Sequence, residues 1–193
     1  GPMKRWSAAA AAAAFLCWSA VAQPAAPSPS ANYFANLTLV DQDGQATDLY
    51  TLMKGRTIVL NSFFASCTGR CPVMAGTFNP IQERFAARMG KDLVLVSITV
   101  DPKNDTAAKL KSYASGAKAA AGRYFLTGTP QQVDAALKRI GQSVTAPEQH
   151  MNVIIVGNEK TGLWKKAFGL AKPEEIVEIV RSVLDDDGTT PAK

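Results

Sequence analysis

"NSFFASCTGRCPVMAGTF", residues 61–78, decides how this chain is read. Cys67 and Cys71 stand where the apolar, β-branched run "RTIVLNSFF" (56–64) ends, and Pro72 follows at once. The run predicts a buried strand, bounded by Gly55 and the cysteine loop. Beyond the cysteines, "PVMAGTFNPIQERFAARMG" (72–90) predicts a helix. Pro72 suits its first turn, Met74, Phe78, Ile81 and Phe85 form its inward stripe, and Gly90 stops it. Pro80 is expected to kink it. Whether the helix begins near Cys71 or near Cys67, with the pair then at i and i+4 on one face, the two sulfurs can converge at a helix N-terminus, where partial positive charge favours thiolate. Arg70 adds charge of the same sign. The pair suits three roles: a disulfide staple, a redox couple, or two ligands of a metal.

Outward from this unit the order of elements is regular. "FANLTLVDQDGQATDLY" (34–50) predicts a hairpin turning at Asp43-Gly44. "DLVLVSITV" (92–100) is a second buried strand. "DPKNDTAAKLKSYASGA" (101–117) is a loop and helix, with Asp105 or Thr106 as cap. "RYFLTG" (123–128) is a short strand. "TPQQVDAALKRIG" (129–141) is a helix capped by Thr129, with Pro130 in its first turn. "MNVIIVG" and "LWKKAFG" flank "NEKTG" as an antiparallel hairpin. "KPEEIVEIVRSVLDDD" (172–187) closes the chain as a helix, apolar at Ile176, Val180, Val183 and Leu184. Strands alternating with helices imply a largely parallel sheet covered on both faces. The closing β-β-α adds antiparallel strands. The fold class is α/β: a thioredoxin-like sandwich with a central mixed sheet, helices on both faces and an N-terminal β-hairpin.

The ends divide differently. Gly1 and Pro2 before Met3 look like a tag scar. "MKRWSAAAAAAAFLCWSAVAQ" (3–23) has a positive start, a short apolar core and "AVA" before Gln23, so residues 3–22 are expected to be a signal peptide, with an uncleaved anchor as the alternative. Residues 23–35 are expected to be a Pro/Ala/Ser linker, 36–187 the folded domain, and 188–193 a disordered tail. Cleavage after Ala22 removes Cys17, leaving Cys67 and Cys71 of the three cysteines. It also removes Lys4 and Arg5, lowering the formal charge of +5 by two. With no basic stripe and interleaved aromatics, nucleic acid is not an expected partner. An exported location, periplasmic or tethered to the inner membrane by the leader, permits a disulfide.

The chain's one histidine, His150, immediately precedes the strand "MNVIIVG". In a thioredoxin-like layout that strand start faces the cysteine loop. Two thiolates and an imidazole make a soft, low-coordinate set that suits Cu(I), and Cu(II) with a further weak ligand. Structural zinc would want a fourth protein ligand. For a lone histidine, the ordinary reading is a capped or surface loop residue; its place in the strand order favours the ligand role here.

These pieces, in order, resemble the Sco/SenC family of thioredoxin-like copper-binding assembly factors. "LVDQDGQATDLYTLMKGRTIVLNSFF" is similar to the family's opening hairpin and first core strand, and "CTGRCP" to its Cys-x-x-x-Cys-Pro. "LVSITVDPKNDTAAKLKSYA", "YFLTGTPQQV" and "HMNVIIVG" resemble its later segments. The likeness runs from about residue 37 to 184. It implies copper ligation by Cys67, Cys71 and His150, and a metallochaperone rather than a turnover enzyme. The implied recipient is the dinuclear copper site of a respiratory oxidase, by copper delivery or by reduction of its cysteines. A copper donor or thiol reductant is the other implied partner. Thr68, Gly69 and Arg70 depart from a motif that commonly has Pro after the first cysteine and an acidic residue, and Gln149 replaces a common Asp. The alternative is a periplasmic thiol–disulfide oxidoreductase in which Cys67 attacks and Cys71 resolves.

Other residues read more simply. Met74 and Met151 are expected in the core rather than on copper. Asp101 suits turn-making in "DPKND" and lining of the site equally. Trp164 and Phe168 are expected to be half-buried sheet residues.

Overall fold

The computed structural model describes residues 28–66, 71–168, 171–189 and 191, with backbone only at 71–75. The leader, the tag scar and the start of the linker, residues 23–27, therefore lie outside the described residues. No helix among the described residues is long and apolar enough to cross a membrane.

The centre is a pair of seven-residue strands, β3 (Thr57–Phe63) and β4 (Leu93–Thr99), buried along their whole length. Two near-continuous apolar runs can satisfy both sheet faces only when helices cover each side, and parallel pairing is the result. Thr57 lies opposite Leu93 and Phe63 opposite Thr99. β5 (Arg123–Leu126) extends the sheet in parallel beside β4, while β6 (Val153–Asn158) and β7 (Trp164–Phe168) form the antiparallel hairpin on the other flank. The order is β5-β4-β3-β6-β7. Within the dry pair, Asn61 lies opposite Ser97 and its side-chain oxygen accepts from the Ser97 hydroxyl at 2.6 Å, so neither polar group is stranded.

Alternate residues serve opposite cores. Ile58, Leu60, Val94, Val96 and Ile98 meet the N-terminal segment and α5 (Pro130–Arg139). Val59, Leu93 and Leu95 meet α3 (Cys71–Arg84) and α6 (Pro173–Leu184). Phe78, Ile81 and Phe85 are buried as the helical stripe predicts. On α6, so are Ile176, Val180, Val183 and Leu184. The α3 helix runs through Pro80 but ends at Arg84, not at Gly90. After it the chain tightens into short turns (Ala86 N–H to Glu83 C=O, Arg88 N–H to Phe85 C=O), and Gly90, at φ +74°, turns it into β4. Arg123 ties α3 to β5: its guanidinium lies over the Phe78 and Phe125 rings and donates to Asn79 Oδ1 at 2.6 Å. Burial pushes its pKa down to about 10.

The hairpin β1 (Thr38–Val40) and β2 (Ala46–Asp48) turns at Asp43-Gly44 as expected, with the Asp41 carboxylate accepting from the N–H groups of Asp43 and Gln45. It forms its own two-stranded sheet and lies against the free edge of β5. There Val40 exchanges backbone hydrogen bonds with Thr127. Gln42 accepts from Phe125 N–H and donates to Arg123 C=O. The short helix α2 (Leu49–Met53) follows, capped by Asp48. Between β4 and β5 runs α4 (Ala107–Gly116), capped by Thr106.

The folded region begins earlier than the linker reading of 23–35 allows. Pro29–Tyr33 forms α1, with the Ser28 hydroxyl accepting from Ala31 N–H as its cap. Phe34 is buried and stacks on Trp164 at 5.7 Å. A capping serine and one aromatic anchor are enough to dock a segment whose Pro/Ala/Ser content otherwise reads as unstructured. Ser28 also donates to the Glu159 carboxylate, which accepts from Tyr50 Oη and Gly55 N–H as well. Burial raises the pKa of Glu159, but these three hydrogen bonds and nearby Lys54 outweigh it and hold the group below its ordinary value. A carboxyl depressed below an unfolded-state value of about 4.3 gives stability that is full above that pH. That stability is lost as pH falls through the folded-state value. Glu159→Gln is therefore expected to lower Tm at neutral pH and to flatten the fall in Tm on acidification below about pH 4.3. Parallel calorimetric profiles for the two proteins would refute this.

Candidate metal centre at the carboxyl end of the sheet

In open α/β sheets, sites gather beyond the carboxyl ends of the parallel strands. Here β3 ends at Phe63, and Phe64, Ala65 and Ser66 lead directly to Cys67. A buried carboxylate fixes this exit. Asp105, with 0% exposure, accepts from Ala65 N–H at 2.9 Å and from the Thr99 hydroxyl at 2.6 Å through the same oxygen. Its second oxygen lies 3.3 Å from Lys109 Nζ, one turn along α4. Lys109 in turn donates to Ser66 Oγ at 2.8 Å. The residues just before Cys67 are thus held to the end of β4 and the first turn of α4.

Cys67, Thr68, Gly69 and Arg70 lie outside the described residues. Cys71 is the first residue of α3, where the sequence places a helix start, although its side chain is outside the description. Met74 likewise falls there. His150 follows a single 3-10 turn, Pro147–Gln149, and its N–H donates to Pro147 C=O at 3.1 Å. Its side chain is buried, with the ring set edge-on to Phe64 at 5.3 Å and 85°. The structure therefore brings His150 against Phe64, which precedes Cys67 by three residues along the chain. Gln149 takes no part in that contact; its Oε1 accepts from the Thr145 hydroxyl within its own loop.

Among the described residues no three His, Cys, Asp or Glu side chains come together as a metal cage. Asp101 has the turn role: both its carboxylate oxygens accept from Asn104 Nδ2. Met151 is 40% exposed and not core. Trp164 is half-buried as expected, but Phe168 is 77% exposed, because it points out of the edge strand β7 near the sheet's end. Sequence reasoning offered Asp105 as a helix cap. Thr106 is that cap, accepting from Lys109 N–H, and Asp105 turns inward. The Asp-x-x-x-Lys spacing was the available signal for the pair.

The mixed sheet, its helices on both faces and a histidine ring set against Phe64, where β3 gives way to the segment that leads to Cys67, define a thioredoxin-like α/β protein with a candidate thiol–imidazole site. The chain belongs to the SCO1/SenC family, whose model matches residues 25–185. The SCO1 protein homolog of Bacillus subtilis is 32% identical over 120 residues, 61% of either chain. A Stutzerimonas stutzeri protein, named as a candidate for copper binding, is 34% identical over 113 residues, 58% of this chain and 54% of its own. The chain thus matches little more than half the length of these relatives. Among solved structures, BsSco, a member of the Sco family of cytochrome c oxidase assembly proteins studied for a disulfide switch, superposes with TM-score 0.63. It is 26% identical, over 76% of this chain and 90% of that one. Arabidopsis thaliana ScoI, solved with copper bound, shares the fold at TM-score 0.64 and 20% identity, over 76% of this chain and 94% of that one.

Proposed function

We propose that this protein is an exported copper metallochaperone that binds one copper ion as cargo through Cys67, Cys71 and His150. The observation that carries the reading is the edge-on contact of His150 with Phe64, which puts an imidazole beside the strand exit leading to Cys67. The donor set fits the cargo. Thiolates and imidazole are soft to borderline ligands that favour Cu(I), and binding requires the sulfurs deprotonated. Cys71 at the start of a 14-residue helix lies where the N-terminal partial charge favours thiolate. Likeness to Sco proteins of oxidase assembly supports the dinuclear copper site of a respiratory oxidase as recipient, reached by ligand exchange onto its cysteines. The short leader supports a periplasmic location, soluble or tethered.

Reduced protein is expected to take up one equivalent of Cu(I) in competition with a chromogenic chelator, and Cys67→Ala or Cys71→Ala to abolish it. No stoichiometric uptake by the wild type would sink the proposal. The helix-start position of Cys71 also favours a second reading, thiol–disulfide exchange with a partner's cysteines. That reading predicts reduction of a partner disulfide by the copper-free protein.

A further inference from the structure

The β3–β6 ladder stops short of the site, and one side chain stands in the gap. Thr57 pairs with Asn158 and Leu60 with Ile155. Continuing this register brings Ser62 opposite Val153. The hydrogen-bonding phase is fixed at the other end, where Glu159 N–H donates to Arg56 C=O at 3.0 Å. In an antiparallel ladder, pairs two residues apart share that phase. Ser62 and Val153 fall in it, so an unbroken ladder would join Ser62 N–H directly to Val153 C=O. Instead Ser62 N–H donates to Gln142 Oε1 at 3.0 Å, and Gln142 Nε2 donates to Val153 C=O at 3.3 Å. The carboxamide is inserted into the slot, and two hydrogen bonds in series replace one.

The insertion follows from how α5 ends. Gly141, at φ +69°, donates its N–H to Lys138 C=O, and Gln142 donates its N–H to Leu137 C=O. This paired pattern is the helix stop that needs a left-handed residue just past the cap. It reverses the chain so that Gln142 enters the sheet, where it is 1% exposed. From Ser62 the chain runs on to Cys67, and three residues before Val153 stands His150.

We propose that Gln142 is a positioning residue for the candidate ligands. Its carboxamide sets the spacing between the strand that leads to Cys67 and the strand that starts after His150. The inference rests on the copper-binding reading. Without the amide, Ser62 and Val153 can close the ladder directly and carry His150 out of its contact with Phe64 beyond the end of β3.

The test compares wild type, Gln142→Leu and Val133→Ala, the last being a buried α5 substitution that leaves the wedge in place. Gln142→Leu is expected to lower Cu(I) affinity at least tenfold and to shift the thiolate-to-copper band of the Cu(II) adduct. Val133→Ala is expected to lose stability with affinity and band unchanged. Gln142→Leu binding within twofold of wild type with the same band, or an equal change in Val133→Ala, overturns the positioning role. A metal-free readout stands beside these. In labelled wild-type protein, a coupling across the hydrogen bond is expected between the Ser62 amide nitrogen and the Gln142 side-chain carbonyl carbon, and its absence overturns the wedge even if Gln142→Leu does not fold. Wild type that takes up no copper overturns the reading beneath the proposal, whereas uptake indifferent to Gln142 overturns the proposal alone.

Discussion

Asp105→Ala is expected to destabilise the protein by about 3 kcal/mol, because it strips partners from several groups at once. The carboxylate has 0% exposure and holds the Ala65 N–H, the Thr99 hydroxyl and the Lys109 ammonium. Each buried donor left unsatisfied costs about 1–3 kcal/mol. Lys109, 39% exposed, recovers part of its hydration and contributes less. Asp105→Asn keeps an acceptor for Ala65 and Thr99 but gives up the charge opposite Lys109, so about half the loss is expected back. Urea unfolding of the three proteins with unchanged m-values checks this. Loss below about 1 kcal/mol for alanine would mean that water replaces the carboxylate. Because Ala65 and Ser66 lead straight to Cys67, the alanine variant is also expected to bind copper more weakly than its folded fraction explains.

The second large effect falls on His150. Alanine there removes the one nitrogen ligand of the proposed set and leaves two thiolates. Cu(I) tolerates two sulfur ligands, so its affinity is expected to fall about 10²-fold rather than vanish, since outer and inner ligand losses of this kind cost 10–100-fold or more. Cu(II), which favours nitrogen and higher coordination, is expected to lose its stable adduct altogether. Competition assays for Cu(I) and the absorption spectrum of the Cu(II) adduct measure the two arms. Equal binding of both oxidation states by wild type and His150→Ala would remove the histidine from the site. The Phe64 contact predicts a further detail: the ring is held edge-on before metal arrives, so Phe64→Ala should weaken binding through loss of that orientation.

The central strands were legible because β3 and β4 are apolar along both faces, and a run of that kind has few other places to go. The Thr129 cap followed from local chemistry alone, and the structure shows the full reciprocal box with Gln132. His150 was legible through strand order, since a residue just before the antiparallel strand beside β3 must lie near the end of β3. What escaped depends on groups that sequence does not display. Gln142 acts on two backbone atoms from distant strands, and no pattern of side chains encodes that. Asp105 and Thr106 are equally good caps on paper. Only the fold decides which one points outward. The end of α3 was placed too late because Phe85 and Met89 keep the helical spacing of a buried stripe after the helix itself has given way to turns.

The Gln42 amide and Val40 backbone along β5 have a consequence for the molecule in company. An open strand flank offers its free N–H and C=O groups to any extended chain that drifts past, which is how sheets grow between molecules. Here the Arg123 C=O, the Phe125 N–H and both backbone groups of Thr127 are already taken by the chain's own hairpin. Crowded copies find that flank of the five-stranded sheet covered, and β7 at its other edge is the strand left open to pairing.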